Sequence, residues 1–181
     1  MDVRSAIAAF LLSLGLVAAG TPASGGDPSN CVASAPLDLK IAGCKAVIAS
    51  GVTRKDILIT AYGALADAYF AKGWDREKNG DRSDAVPMYR QALSDLDAAI
   101  AVDPASTANF RNYAFRATVH NALGEVALAL ADATKAISMK PAEAGPYYTR
   151  GLVYKRMGKM AEASSDFAMA HQLNPAAPLP H

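Results

Sequence analysis

The chain has 181 residues, 51% of them hydrophobic, and a formal net charge of +1. That length supplies one compact domain, and near-neutral charge without basic runs interleaved with aromatics argues against a nucleic-acid surface. The apolar content is rich in alanine, holds one tryptophan and shows few β-branched runs, so the composition leans helical before any pattern is read.

The first predicted element is an export signal, residues 1–23. Arg4 gives a positive start, Ala6 to Ala19 is apolar, and small residues follow. Val17-Ala18-Ala19 fits small-x-small cleavage, and Thr21-Pro22-Ala23 offers a second site. A membrane anchor is the alternative, but a span needs about 20 apolar residues, and Gly20, Thr21 and Pro22 interrupt this stretch sooner. A lipid anchor would need a cysteine directly after the apolar stretch, whereas Cys31 lies behind Asp27-Pro28-Ser29-Asn30. The expected location is therefore periplasmic, exported or secreted, with no membrane span once the signal is removed.

Residues 24–35 read as a flexible arm of Gly, Ser, Pro and Asn. Cys31 and Cys44, a paired count behind an export signal, predict a disulfide stapling this arm to the next helix, with two unpaired buried thiols as the alternative. Two Cys and three scattered His are too few for a metal site, and no C-x-x-C redox motif occurs. Residues 36–58 form the N-terminal helix region. Pro36 suits a first turn, Leu37, Ile41, Cys44 and Ile48 recur at helical spacing, and Gly51 ends the helix.

Beyond it the chain repeats itself. The segment 144–177 is 34 residues long and slides onto 110–143 without a gap, so that Tyr147 meets Tyr113, Gly158 meets Gly124 and Pro175 meets Pro141. A third copy upstream is split: Tyr62, Ala66, Tyr69 and Gly73 in its first half, Ala92, Leu96, Ala99 and Pro104 in its second, with 14 extra residues between Gly73 and Ala92. The predicted repeats are 59–106 with this insertion, 107–143 and 144–177, followed by a tail, 178–181. Antiparallel helices approach closely only where side chains are small. The nine contact positions are Ala66, Ala92, Ala99, Ala117, Ala129, Ala136, Gly151, Ala163 and Ala170, all alanine or glycine. Gly73, Gly124 and Gly158 are expected to stop each first helix, and Pro104, Pro141 and Pro175 to stand just past each second one.

Tyr147-x-x-Arg150-Gly151-x-x-Tyr154-x-x-x-Gly158, followed by Ala163, Phe167, Ala170 and Pro175, resembles the signature of the tetratricopeptide-repeat family. More narrowly, the chain is similar to small exported tetratricopeptide proteins of alpha-proteobacteria, in which a Cys-containing arm and helix precede the repeats. The resemblance implies an all-α, right-handed α-solenoid of three helix pairs, with a concave groove that binds a peptide or protein partner. Carried over by position, the groove residues are Asp67, Phe70, Thr118, Asn121, Tyr148, Leu152, Lys155 and Arg156. His120 departs from the family's aromatic and Ala133 from its large residue.

Catalysis lacks its parts. Asp95, Asp132 and Asp166 share one repeat position and are displaced along a solenoid, so they do not converge on one substrate. Arg116 and Arg150 stand sixteen residues before Asp132 and Asp166, which predicts ion pairs tying helix to helix. Leu65 replaces Arg in the first copy, so Asp95 should differ. No Gly-x-Ser-x-Gly, Walker or dinucleotide motif occurs, so no enzyme activity and no cofactor is expected. In the insertion, Trp74 is either a partner anchor on a projecting elbow or, if the first helix runs on to Lys78 with a turn at Asn79-Gly80, a residue packed on the lengthened second helix. The last helix carries Met160, Met169 and Leu173 with no polar cap after it, which suggests an apolar end covered either by the tail or by another chain.

Overall fold

A computed structural model describes residues 26–32 and 34–176 of the chain. The expected export signal and tail lie outside the described residues. Among the described residues every regular element is helical: α1 (Leu37–Ala49), α2 (Lys55–Lys78), α3 (Arg82–Val102), α4 (Phe110–Leu123), α5 (Val126–Met139), α6 (Ala144–Arg156) and α7 (Met160–Leu173), with short 3-10 helices at Pro28–Cys31 and Thr107–Asn109. The fold is all-α, a single helix followed by three helix hairpins. The chain divides into two compact units, one ending at Val102 and the other beginning at Asp103.

In the first unit α1 packs on α2, and α2 pairs with α3 along much of its length. The predicted arm is folded over its described part. Asp27 caps the Pro28–Cys31 turn, its carboxylate accepting from the Ser29 N–H at 2.9 Å, which holds that carboxyl below its usual range. Cys31 and Cys44 are disulfide-bonded and fully buried. Their neighbours in the core are Val47, Val52, Ile57, Ala61 and Leu65. Composition suggested mobility because Gly, Ser and Pro rarely build a core, but the cross-link fastens the turn to α1. Pro36 stands one residue before α1, as its N-cap, and Gly51 closes the turn after it at φ 74°.

The insertion lengthens both helices of the first hairpin to 24 and 21 residues, against 13 or 14 in the others. The first helix reaches Lys78, with the turn at Asn79-Gly80. Gly73 therefore does not stop a helix; it lies inside α2. A β-carbon there would come within 2.7 Å of the Tyr89 ring, so the glycine is needed for close approach. Gly124 and Gly158 do end their helices, at φ 81° and 74°. Pro87 falls in the second turn of α3, removing a donor only near that helix's exposed start.

All nine predicted contact positions are buried. A methyl group at Gly151 would meet Phe167 Cε1 at 2.6 Å. Replacing Gly73 by alanine should gain about 1 kcal/mol of helix propensity. It should lose about 2 kcal/mol to overpacking, because Tyr89 is fully buried and cannot swing aside. Gly145→Ala, in open space on α6, keeps the gain alone. Urea unfolding should thus move in opposite directions for the two variants, and a stabilised Gly73→Ala would contradict the packing.

Candidate functional site

The second unit contains the last two repeats, and each is clamped by one ion pair. Arg116 Nε and Nη2 donate to Asp132 at 2.7 and 2.8 Å; Arg150 does the same to Asp166 at the same distances. Each guanidinium also lies over an aromatic ring of its own helix, Arg116 over Tyr113 at 5.3 Å and Arg150 over Tyr147 at 5.7 Å. The Asp166 partner raises the Arg150 pKa further above its ordinary value. The two carboxylates are thus occupied in joining first helix to second, with both guanidinium donors of the fork used on one acceptor.

The first copy breaks the pattern. Asp95 is buried, its Oδ1 accepts only from Gln91 Nε2 at 3.3 Å, and its Oδ2 is buried without a hydrogen-bond partner. Burial raises its pKa, while Gln91 and the charge of Lys45 pull it down. Because the folded pKa lies above the unfolded one, Asp95 disfavours folding above its folded pKa. That penalty disappears as pH falls through it. Asp95→Asn should therefore stabilise the chain by roughly 1 kcal/mol at neutral pH. The difference should vanish below about pH 4, where both states hold the proton. Chemical unfolding at pH 7 and pH 3.5 checks both statements.

The residues carried over as groove positions fall into separate environments. In the first unit Asp67 is bound by Lys40 of α1 at 2.9 Å, and Lys72 by Asp38 at 2.6 Å, so a pair of crossed ion pairs holds α1 on α2. Phe70 lies against Tyr89 of α3, ring centroids 5.3 Å apart. In the second unit the first helices α4 and α6 touch directly. Thr118 Oγ1 lies 3.3 Å from Thr149 Oγ1, and Arg156 Nη1 donates to the Asn121 carbonyl at 2.6 Å. Arg156 thus ties α6 to the end of α4, where carbonyls lack helical partners and a cation is favoured. Asn121 Oδ1 is buried with no hydrogen-bond partner. Tyr148, Leu152 and Lys155 recur at helical spacing on α6, Tyr148 resting on Phe167 with centroids 5.6 Å apart. His120, at the position of a core aromatic, contacts Glu125 through Nδ1 at 2.6 Å, across the turn to α5.

Sequence reasoning missed the Lys40–Asp67 and Lys72–Asp38 pairs, Thr149, and the Tyr89 hydroxyl, which donates to Glu77 Oε2 at 2.6 Å. Tyr89 has Val126 and Met160 at the matching positions of the later copies, so it carried no periodic signal. The first helix runs on to Lys78 with its turn at Asn79-Gly80, and Trp74 lies on it beside Phe70. It is 53% exposed and stacks on Phe70. No helix among the described residues is long and apolar enough to cross a membrane.

The family model described as tetratricopeptide repeat matches residues 144–176. DnaJ homolog subfamily C member 3 of Mus musculus and of Homo sapiens is 36% identical over 91 residues, 50% of this chain and 18% of that protein, so the chain corresponds to a small part of these relatives. Among solved structures, a tetratricopeptide-repeat protein of Thermus thermophilus, TTC0263, superposes with a TM-score of 0.64 at 24% identity, over 77% of this chain and 66% of that one. MamA from MSR-1 gives 0.51 at 16% identity, over 78% of each chain. These likenesses show the fold. The chain carries a tetratricopeptide repeat over residues 144–176 and folds as tetratricopeptide-repeat proteins do.

Proposed function

We propose that the chain is an exported, periplasmic scaffold, without enzymatic activity or cofactor, that binds a peptide or protein partner through its first-helix face. The observation that carries this reading is the α4–α6 face. Two first helices lie in contact there through Thr118 and Thr149, with Asn121, Tyr148 and Leu152 half-buried along them. Tyr148 and Leu152 offer half-buried apolar surface on the same helix as the exposed Lys155, a combination suited to a segment with apolar and acidic residues. The apolar stretch after Arg4 and the Cys31–Cys44 bond support export, and a bacterial source among small exported tetratricopeptide proteins is part of the same proposal.

A pull-down from envelope extract compares wild type with Tyr148→Ala and Lys155→Ala. Loss of one shared partner in both variants supports the face, and retention in both contradicts it. A second reading rests on Met157, Met160, Met169 and Leu173, which are all exposed at the last hairpin. They would suit a structural envelope component that self-associates through α7. Sedimentation at micromolar concentration separates the readings, since a strict monomer removes the second.

A further inference from the structure

The chain holds one Asn-Gly step, Asn79-Gly80, and it forms the turn between α2 and α3. Both residues are exposed, and a β-carbon on Gly80 would meet nothing within 4 Å. An asparagine followed by glycine can react with its own backbone, without an enzyme. Base removes the Gly80 amide proton, and the nitrogen attacks the Asn79 side-chain carbonyl carbon. The new C–N bond expels the side-chain nitrogen, which takes up a proton and leaves as ammonia. A cyclic imide remains, and water opens it at either carbonyl. Attack at the side-chain carbonyl gives aspartate; attack at the main-chain carbonyl gives isoaspartate, whose backbone runs through Cγ. The exchange consumes one water, releases one ammonia and moves no electrons to another molecule. After the other asparagines stand Cys31, Phe110, Tyr113, Ala122 and Pro175. The first four carry a β-carbon that crowds the attack, and proline has no N–H to lose.

The folded turn holds the reacting atoms apart. Gly80 is left-handed at φ 88°, its N–H donates to the Glu77 carbonyl at 3.1 Å, and the Asp81 N–H donates to the Arg76 carbonyl at 2.9 Å. This pair of bonds closes the end of α2 and engages the attacking nitrogen as a donor. Asn79 has ψ 4°, which sets the Gly80 nitrogen beside the Asn79 nitrogen and away from the Asn79 β-carbon. The imide ring closes only after ψ rotates, and that rotation breaks both bonds. Side chains lock the same turn. Glu77 pairs with Arg82 across it and accepts from the Tyr89 hydroxyl at 2.6 Å, while Arg76 lies 3.9 Å from Asp84.

We propose that Asn79 is a site of spontaneous conversion to aspartate and isoaspartate, gated by opening of the α2–α3 turn, and that isoaspartate then keeps the turn open. Isoaspartate adds a methylene to the main chain, so the Gly80 and Asp81 N–H groups no longer meet their carbonyls together. Its carboxylate also stands at the carbonyl end of α2, where negative charge is disfavoured. The site lies in the first unit and does not depend on partner binding at α4 and α6.

The full chain is incubated in mildly alkaline buffer with and without urea, and peptide mass spectrometry separates asparagine, aspartate and isoaspartate at residue 79. Conversion in urea should exceed that at every other asparagine. In the folded chain it should be about tenfold or more slower, since only the opened fraction reacts. Glu77→Gln, which weakens the lock, should quicken the folded reaction and leave the rate in urea unchanged. The purified isoaspartate form should be cut by trypsin at Arg82 about tenfold faster than Asn79→Asp, which has the charge without the extra methylene. An Asn79 that is no faster than the other asparagines in urea overturns the site. Equal rates folded and unfolded, or a folded rate unaltered in Glu77→Gln, overturn the gating. Equal trypsin cleavage of the isoaspartate form and Asn79→Asp overturns the opened product.

Discussion

Arg150→Met should lower the free energy of unfolding by about 3 kcal/mol, because it leaves the Asp166 carboxylate buried with no cation. The reverse substitution, Asp166→Leu, should cost less, about 1 to 2 kcal/mol. Arg150 keeps 20% of its side chain in water, so a guanidinium released from Asp166 can turn outward, whereas the aspartate cannot. Methionine retains most of the stem's packing but loses the charge over Tyr147 and Tyr154, which adds to the loss. The double variant Arg150→Met with Asp166→Leu should recover much of the stability, since an apolar pair needs no desolvation of charge. Urea unfolding of the four proteins gives the coupling directly. Additive effects would mean that the two side chains do not act as a pair.

The second large effect concerns the disulfide. Replacing both Cys31 and Cys44 by alanine should cost about 3 kcal/mol, the chain-entropy expectation for a closed loop of this size. The sequence separation is 13 residues. Without the bond, the Pro28–Cys31 turn keeps its aspartate cap and its close approach to Gly43 of α1 but loses its covalent tie to that helix. Thirteen residues is marginal for an isolated helix, so α1 depends on packing from both sides. Hydrogen exchange should therefore quicken most across residues 37–49, with residues 103–176 little changed. Uniform quickening along the chain, or no change in α1, would contradict this assignment.

Regularity made most of the hairpin architecture legible. Gly124 and Gly158 end helices as their repeat position implies, and the nine small positions are buried. Arg116 and Arg150 were readable as partners of Asp132 and Asp166 because identical spacing in two copies reflects identical geometry, and the absence of Arg in the first copy marked Asp95 in advance. Where the repeat is interrupted, the same reasoning loses its ruler. Gly73 occupies the glycine position yet lies mid-helix, because the added residues extend α2 and bring Tyr89 over it. Nothing in the local pattern says that Tyr89, sixteen residues on, packs over Gly73 and beside Phe70.

The candidate site was harder to read because its environment comes from distant contacts. Asp67 looks available by repeat position, but Lys40, 27 residues earlier, occupies it once α1 docks. Arg156 stands at a carried-over groove position, yet its partner is a backbone carbonyl 35 residues away, which side-chain patterns do not announce. Thr118 and Asn121 remain where the repeat register put them, on the helix that meets α6.

The most direct measurement of the scaffold reading is hydrogen exchange on the chain with and without the partner recovered by pull-down. Binding through first helices predicts slowed exchange concentrated in residues 110–123 and 144–156, with α5 and α7 nearly unaffected. Protection confined to residues 126–139 and 160–173, with none on α4 or α6, would contradict it.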